Sequence, residues 1–110
     1  MSILRLILKY CLQIKETRQE FNNDKERYDE SATFRNAVCL CLLQIGELVG
    51  NLSDEFKEAN SNIHWRSIKK LRNIVAHRYK TIDFNLVWVI SMREVPDLAV
   101  FCKSFLTEQE

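Results

Sequence analysis

Residues that break helices are scarce in this chain: its 110 positions hold two glycines, Gly46 and Gly50, and one proline, Pro96. A β-rich chain of this size would need a turn roughly every 8–12 residues, built largely from Gly, Pro, Asn and Asp. Long helices need far fewer. Apolar residues make up 46% of the chain, enough for one helical core and well above the composition of disordered segments. The chain therefore reads as a single all-α domain over residues 1–110, an up-and-down bundle of four to five helices.

Apolar spacing places the elements. Ile3, Leu4, Ile7, Leu8, Cys11, Leu12 and Ile14 recur at helical intervals, which predicts a first helix from Ser2 to about Phe21 with Ser2 as its cap. The polar run Asn22–Glu30 reads as a connection. A second helix follows from about Ser31 to Leu52 with Phe34, Ala37, Val38, Cys41, Leu42, Ile45, Leu48 and Val49 on one side. Leu40 and Leu43 point away from that stripe, so a second copy of the chain is expected to cover them in a homodimer. Ser53–Ala59 reads as a short acidic turn, and Ile63–His77 as a third helix containing Trp65, Ile68, Leu71 and Ile74. Asp83 is placed to cap a fourth helix that ends or kinks near Glu94, with Pro96–Leu106 as a last short helix.

The net charge of +1 excludes binding to nucleic acid by bulk charge, but the charge is unevenly placed. No acidic residue lies between Glu58 and Asp83, where Arg66, Lys69, Lys70, Arg72, Arg78 and Lys80 fall. The remainder carries ten basic residues against 15 acidic ones. Lys69, Lys70, Arg78 and Lys80 are thus candidates for contact with phosphates. Cys39 and Cys41 would sit about 200° apart on a helix, and with only two histidines and no CxxC pair a metal site is not expected. The cysteines read as small buried apolar residues. No run reaches the roughly 18 apolar residues of a membrane span, no cleavage site follows the N-terminus, and a cytoplasmic protein is expected.

The chemistry concentrates in Leu71–Asp83. On an ideal helix Asn73 and His77 share a face, with Arg72 about 100° to the side. Imidazole can gain and lose a proton near neutral pH, and guanidinium carries a permanent charge in a fork that fits phosphate oxygens. Together they suffice for RNA cleavage without metal. His77 would move the proton of a ribose 2′-hydroxyl or of the leaving oxygen, while Arg72 stabilises the charge developing on the phosphorane. Two copies across a dimer would supply acid and base at once. A plainer reading competes: a lone histidine near a helix C-terminus often serves as a cap that gains from the helix dipole. Trp65 and Trp88 read as core anchors, and His64 carries no assigned role. Glu47, a carboxylate on an apolar stretch, needs a cationic partner if it is buried, and Arg72 is the candidate.

The set Arg72-Asn73…His77-Arg78-Tyr79 resembles the Arg-x4-His-x-Tyr signature of the HepT-like branch of the HEPN superfamily. Ile45-Gly46-Glu47, Ile63-His64-Trp65-Arg66, Thr81-Ile82-Asp83, Val87-Trp88 and the late Pro96 are similar as well, so the likeness runs from about Leu8 to Leu106. Two positions depart from it: Arg78 stands where relatives often have a small residue, and His64 where many have proline. The resemblance implies a homodimer with Arg72 and His77 of both copies in one cleft, supported by Asn73 and Glu47. It also implies a metal-independent endoribonuclease toxin without a cofactor. Its partner would be a small MNT-type nucleotidyltransferase antitoxin that silences it by adenylylating Tyr79, since a bulky anionic group beside His77 would repel RNA. The alternatives are a non-catalytic HEPN module that binds a nucleotide or a nucleotidyltransferase, and a plain dimerisation domain.

Overall fold

The computed structural model describes residues 2–70 and 82–108. These form an all-α bundle: α1 (Ile3–Glu20), α2 (Lys25–Glu30), α3 (Ala32–Gly50), α4 (Asp54–Ala59), a helical stretch over 65–70 designated α5, and α6 (Phe84–Glu108). No strand occurs among the described residues.

The caps fall where short polar side chains precede apolar runs. Ser2, Asp24, Ser31 and Ser53 each accept a backbone N–H from the first turn of α1, α2, α3 and α4 respectively, filling donors that a helix start leaves open. α1 buries Leu4, Ile7, Cys11, Ile14 and Arg18, a 3-4 alternation that forms one stripe along the helix. α3 buries eight residues, among them Phe34, Val38, Leu42, Ile45 and Val49, and Leu40 stands outside at 59% exposure. α1 packs against both α3 and α6, and these three helices enclose the core. Full burial of each such aliphatic side chain stabilises the fold by roughly 1.5–3 kcal/mol before entropic costs. By length and a mean hydropathy of 1.3, α3 could also cross a membrane, contrary to the sequence expectation; here its apolar stripe is spent on α1 and α6.

Three expectations fail. Asn22–Glu30 is more than a connection: Asn22 and Asn23 adopt left-handed backbone (φ 57° and 54°), which turns the chain into α2. Tyr28 is fully buried there, edge-on to Phe34 at 5.2 Å, and its hydroxyl donates to the Phe84 carbonyl at 2.8 Å. Residues 84–108 form one helix rather than two, with Pro96 inside α6. Pro96 is solvent-exposed, so its ring and the unbonded Met92 carbonyl face outward, while Ser91, Val95, Leu98 and Cys102 continue the buried stripe across it. Ser53–Ala59, expected as a turn, closes into α4.

All four cysteines are buried and free. Burial pushes the Cys39 thiol up to about 11 and the Cys102 thiol to about 12, and raises Cys41; Cys11 is raised first by burial and then by Cys102 and Cys41. They serve as core residues.

Candidate functional site

The segment that carries the chemistry, Leu71–Thr81, lies outside the described residues, and with it Arg72, Asn73, His77, Arg78, Tyr79 and Lys80. Its frame is described on both sides.

On the N-terminal side, Ile63, Trp65 and Ile68 are buried, while Arg66, Lys69 and Lys70 are exposed. The period of α5 thus turns Arg66, Lys69 and Lys70 outward. Trp65 fixes this stretch. Its indole N–H donates to the Asn60 carbonyl at 3.0 Å, and its ring meets Phe101 of α6 edge-on at 5.6 Å. Phe56 of α4 packs on both Trp65 and Phe105, which closes an aromatic cluster. A cleft of about 780 Å³ opens between α4 and α5, lined by Lys57, His64, Arg66 and Lys69 together with Asp54 and Glu58. Its lining carries Lys57, Arg66 and Lys69 against two carboxylates and reaches to within two residues of the motif segment.

His64 has a partner that sequence reasoning did not foresee. Its Nδ1 lies 3.1 Å from Glu94 Oε2, and because a carboxylate only accepts, the imidazole N–H donates. The side chain is 70% exposed, so the pair contributes little to stability. The bond ties the start of α5 to the middle of α6.

On the C-terminal side, Ile82 is buried and Asp83 caps α6 by accepting the backbone N–H groups of Asn85 and Leu86, both at 3.1 Å. The cap expected at Asp83 is therefore in place. Trp88, one turn on, is buried against Tyr28 and Phe34. Both tryptophans are core anchors, as the sequence implied. Glu47 lies on the exposed side of α3, so the cost of burying a carboxylate does not arise for it. Its proposed pairing with Arg72 lies outside the described residues.

Arg18 escaped sequence reasoning altogether. It occupies the next place in the stripe of Leu4, Ile7, Cys11 and Ile14, and is 9% exposed. Its Nε donates to Asn23 Oδ1 at 3.0 Å and its Nη1 to Ser91 Oγ at 2.8 Å, and the guanidinium lies 4.2 Å from the Trp88 ring centroid. Burial lowers its pKa below the usual arginine range. The signal was a charge at a position where the spacing asks for an apolar residue. Among the described residues no group of three or more His, Cys, Asp or Glu side chains is arranged to hold a metal ion.

Comparison with known proteins accords with this frame. The sequence profile described as "Ribonuclease HepT-like" matches residues 7–105, which includes the whole segment from Arg72 to Tyr79. The chain is 29% identical over 97 residues to a protein of Methanocaldococcus jannaschii described as "Gamma-glutamylcyclotransferase and putative RNase", covering 86% of this chain and 44% of that protein. It is 32% identical over 66 residues to a "Putative RNase" of Caldanaerobacter subterraneus subsp. tengcongensis, 60% of this chain and 59% of that one. A "Probable ribonuclease HepT" of Thermococcus cleftensis is 31% identical over 62 residues, 56% of either chain. The chain thus spans about half the length of these relatives. No solved structure matches it significantly.

Proposed function

Because the chain belongs to the HepT-like ribonuclease family, we propose that it is a metal-independent endoribonuclease and the toxin of a toxin-antitoxin pair. The observation that carries this reading is a family match spanning the complete set Arg72, Asn73, His77 and Tyr79. The exposed cations of α5 and the names of the relatives support it further.

The mechanism follows from the residue chemistry. RNA phosphates are drawn to the cationic face of Arg66, Lys69 and Lys70, which position the strand without reading its bases. His77 takes the 2′-hydroxyl proton or protonates the leaving 5′-oxygen; the 2′-oxygen attacks the adjacent phosphorus as the P–O5′ bond breaks, leaving a 2′,3′-cyclic phosphate and a 5′-hydroxyl. Arg72 holds the phosphorane charge through its fork of N–H donors. A homodimer, with the exposed Leu40 of α3 as a contact, brings a second histidine to the same cleft. A nucleotidyltransferase antitoxin silences the site by transferring AMP to Tyr79, placing a bulky anion where the RNA phosphate would lie.

The test is cleavage of total RNA in the presence of EDTA by protein made without its neighbouring genes. Arg72→Ala and His77→Ala are each expected to lose at least about 100-fold in rate, the usual weight of one acid-base or charge-stabilising group, with folding unchanged. Intact RNA with wild-type protein whose mass shows Tyr79 unmodified would sink the nuclease reading and leave a nucleotide- or partner-binding module.

A further inference from the structure

A groove of about 490 Å³ runs between α1 and α6, on residues that the nuclease reading does not use. The two helices are antiparallel here: Arg18, near the end of α1, bonds Ser91 in the first third of α6, while Leu8 lines the same groove as Lys103. Its walls are mostly apolar, with Leu12, Met92, Val95, Ala99 and Val100 among them. Leu12 is 50% exposed, Met92 47% and Val100 67%, a large apolar outlay on solvent for so small a domain.

The buried polar groups lie at one end. Arg18, Ser91, Asn23 and Gln19 meet there, behind a run of aliphatic side chains about 15 Å long, the rise of α1 from Leu8 to Arg18. Lys15 and Lys103 stand on the walls, and no aspartate or glutamate lines the groove. Arg18 itself is more than nine-tenths buried, yet among the described residues no carboxylate lies within ion-pairing distance of it. Of its five N–H donors, one on Nε and one on Nη1 are bonded to Asn23 and Ser91. The remaining three have no acceptor among the described residues, where no buried polar side-chain atom is left unsatisfied, so Nη2 is open to the groove. A largely buried guanidinium whose open donors face an apolar groove is a ready seat for an anionic head group. Ligand sites have this form, an apolar concavity with a few polar groups converging at one place.

We propose that the groove binds a medium-chain alkyl carboxylate, its carboxylate on Arg18 and its chain along Leu12, Val95 and Ala99. The head-to-tail polarity is what selects this ligand. The buried polar groups, Arg18 and Ser91, lie at one end, whereas the other two cations of the groove, Lys15 and Lys103, are exposed, and apolar side chains make up most of the lining.

Decanoate, kept below its micellar range, is the probe, and the titration is followed by backbone amide and Trp88 indole N–H resonances of the full chain. Saturable binding is expected, with shifts confined to Leu12, Trp88, Ser91, Met92 and Val100. 1-Decanol, with the same chain and no charge, and acetate, with the charge and no chain, should each bind at least about tenfold more weakly, the weight of one charge-assisted hydrogen bond. Leu12→Asp, at a half-exposed position that folding tolerates, should abolish binding by placing a like charge in the groove. Equal binding of decanol overturns the proposal, as does absence of saturation. So does a set of the same shifts that follows protein concentration alone, which would assign the groove to a second copy. Binding of an acidic amphipathic peptide with decanoate silent would assign it to a protein partner.

Discussion

Asp83 shows how much one side chain can decide at the exit of the motif segment. Its carboxylate occupies two backbone N–H groups of α6 and lies favourably at the helix dipole's positive end. Asp83→Ala should lower stability by about 1 kcal/mol in urea denaturation, whereas Asp83→Asn should recover most of that loss. Asp83 was legible because a cap is a local rule, a short polar side chain before an apolar run. Arg18 was not legible, since its stabilisation comes from Ser91, far away in the chain, and from the face of Trp88. Periodicity assigns a charge to the surface, and only tertiary packing can override that. The motif residues Arg72, His77 and Tyr79 were recognisable by type and spacing, which is chemistry rather than geometry.

Among the elements, the apolar stripes of α1 and α3 placed both helices to within two residues of where they lie. α2 was hidden because a six-residue helix needs only one buried anchor, and Tyr28 alone cannot establish a period. α6 was divided wrongly at Pro96 because a sequence does not say which side of a helix a residue occupies. On the outer side the ring meets solvent rather than the core, and the buried Val95 and Leu98 carry the helix through Pro96. Pro96→Ala should therefore restore a bond without disturbing the core and raise stability by roughly 1–3 kcal/mol, read as a higher urea midpoint at unchanged slope.

For the molecule as a whole, the buried thiols set a limit on alkaline stability. Their pKa values are raised in the folded state, Cys39 to about 11 and Cys102 to about 12 from 9.0, so folding retains protons that the unfolded chain releases. The stability they contribute is complete below pH 9 and is lost as pH rises toward those folded values. At pH 10, one unit above the unfolded value, each thiol should cost about 1.4 kcal/mol. Urea midpoints measured from pH 7.5 to 10 should fall, and Cys102→Ala should flatten that slope while lowering the midpoint at pH 7.5. An unchanged slope in the variant would mean the thiols do not govern it.

The bond between Arg18 and Ser91 also bears on which alignment of α1 and α6 the chain adopts. Two helices that meet through aliphatic side chains alone can slide by one turn, about 5.4 Å, and still bury similar area. Arg18 removes that freedom, because a shift by one turn would strand its guanidinium opposite apolar side chains. It acts as a detent, holding one setting among several of nearly equal packing. Arg18→Leu should therefore leave thermal stability equal or higher while the α1 and α6 amides broaden or double in NMR spectra. A single sharp set of resonances in that variant would show that the aliphatic contacts alone determine the alignment.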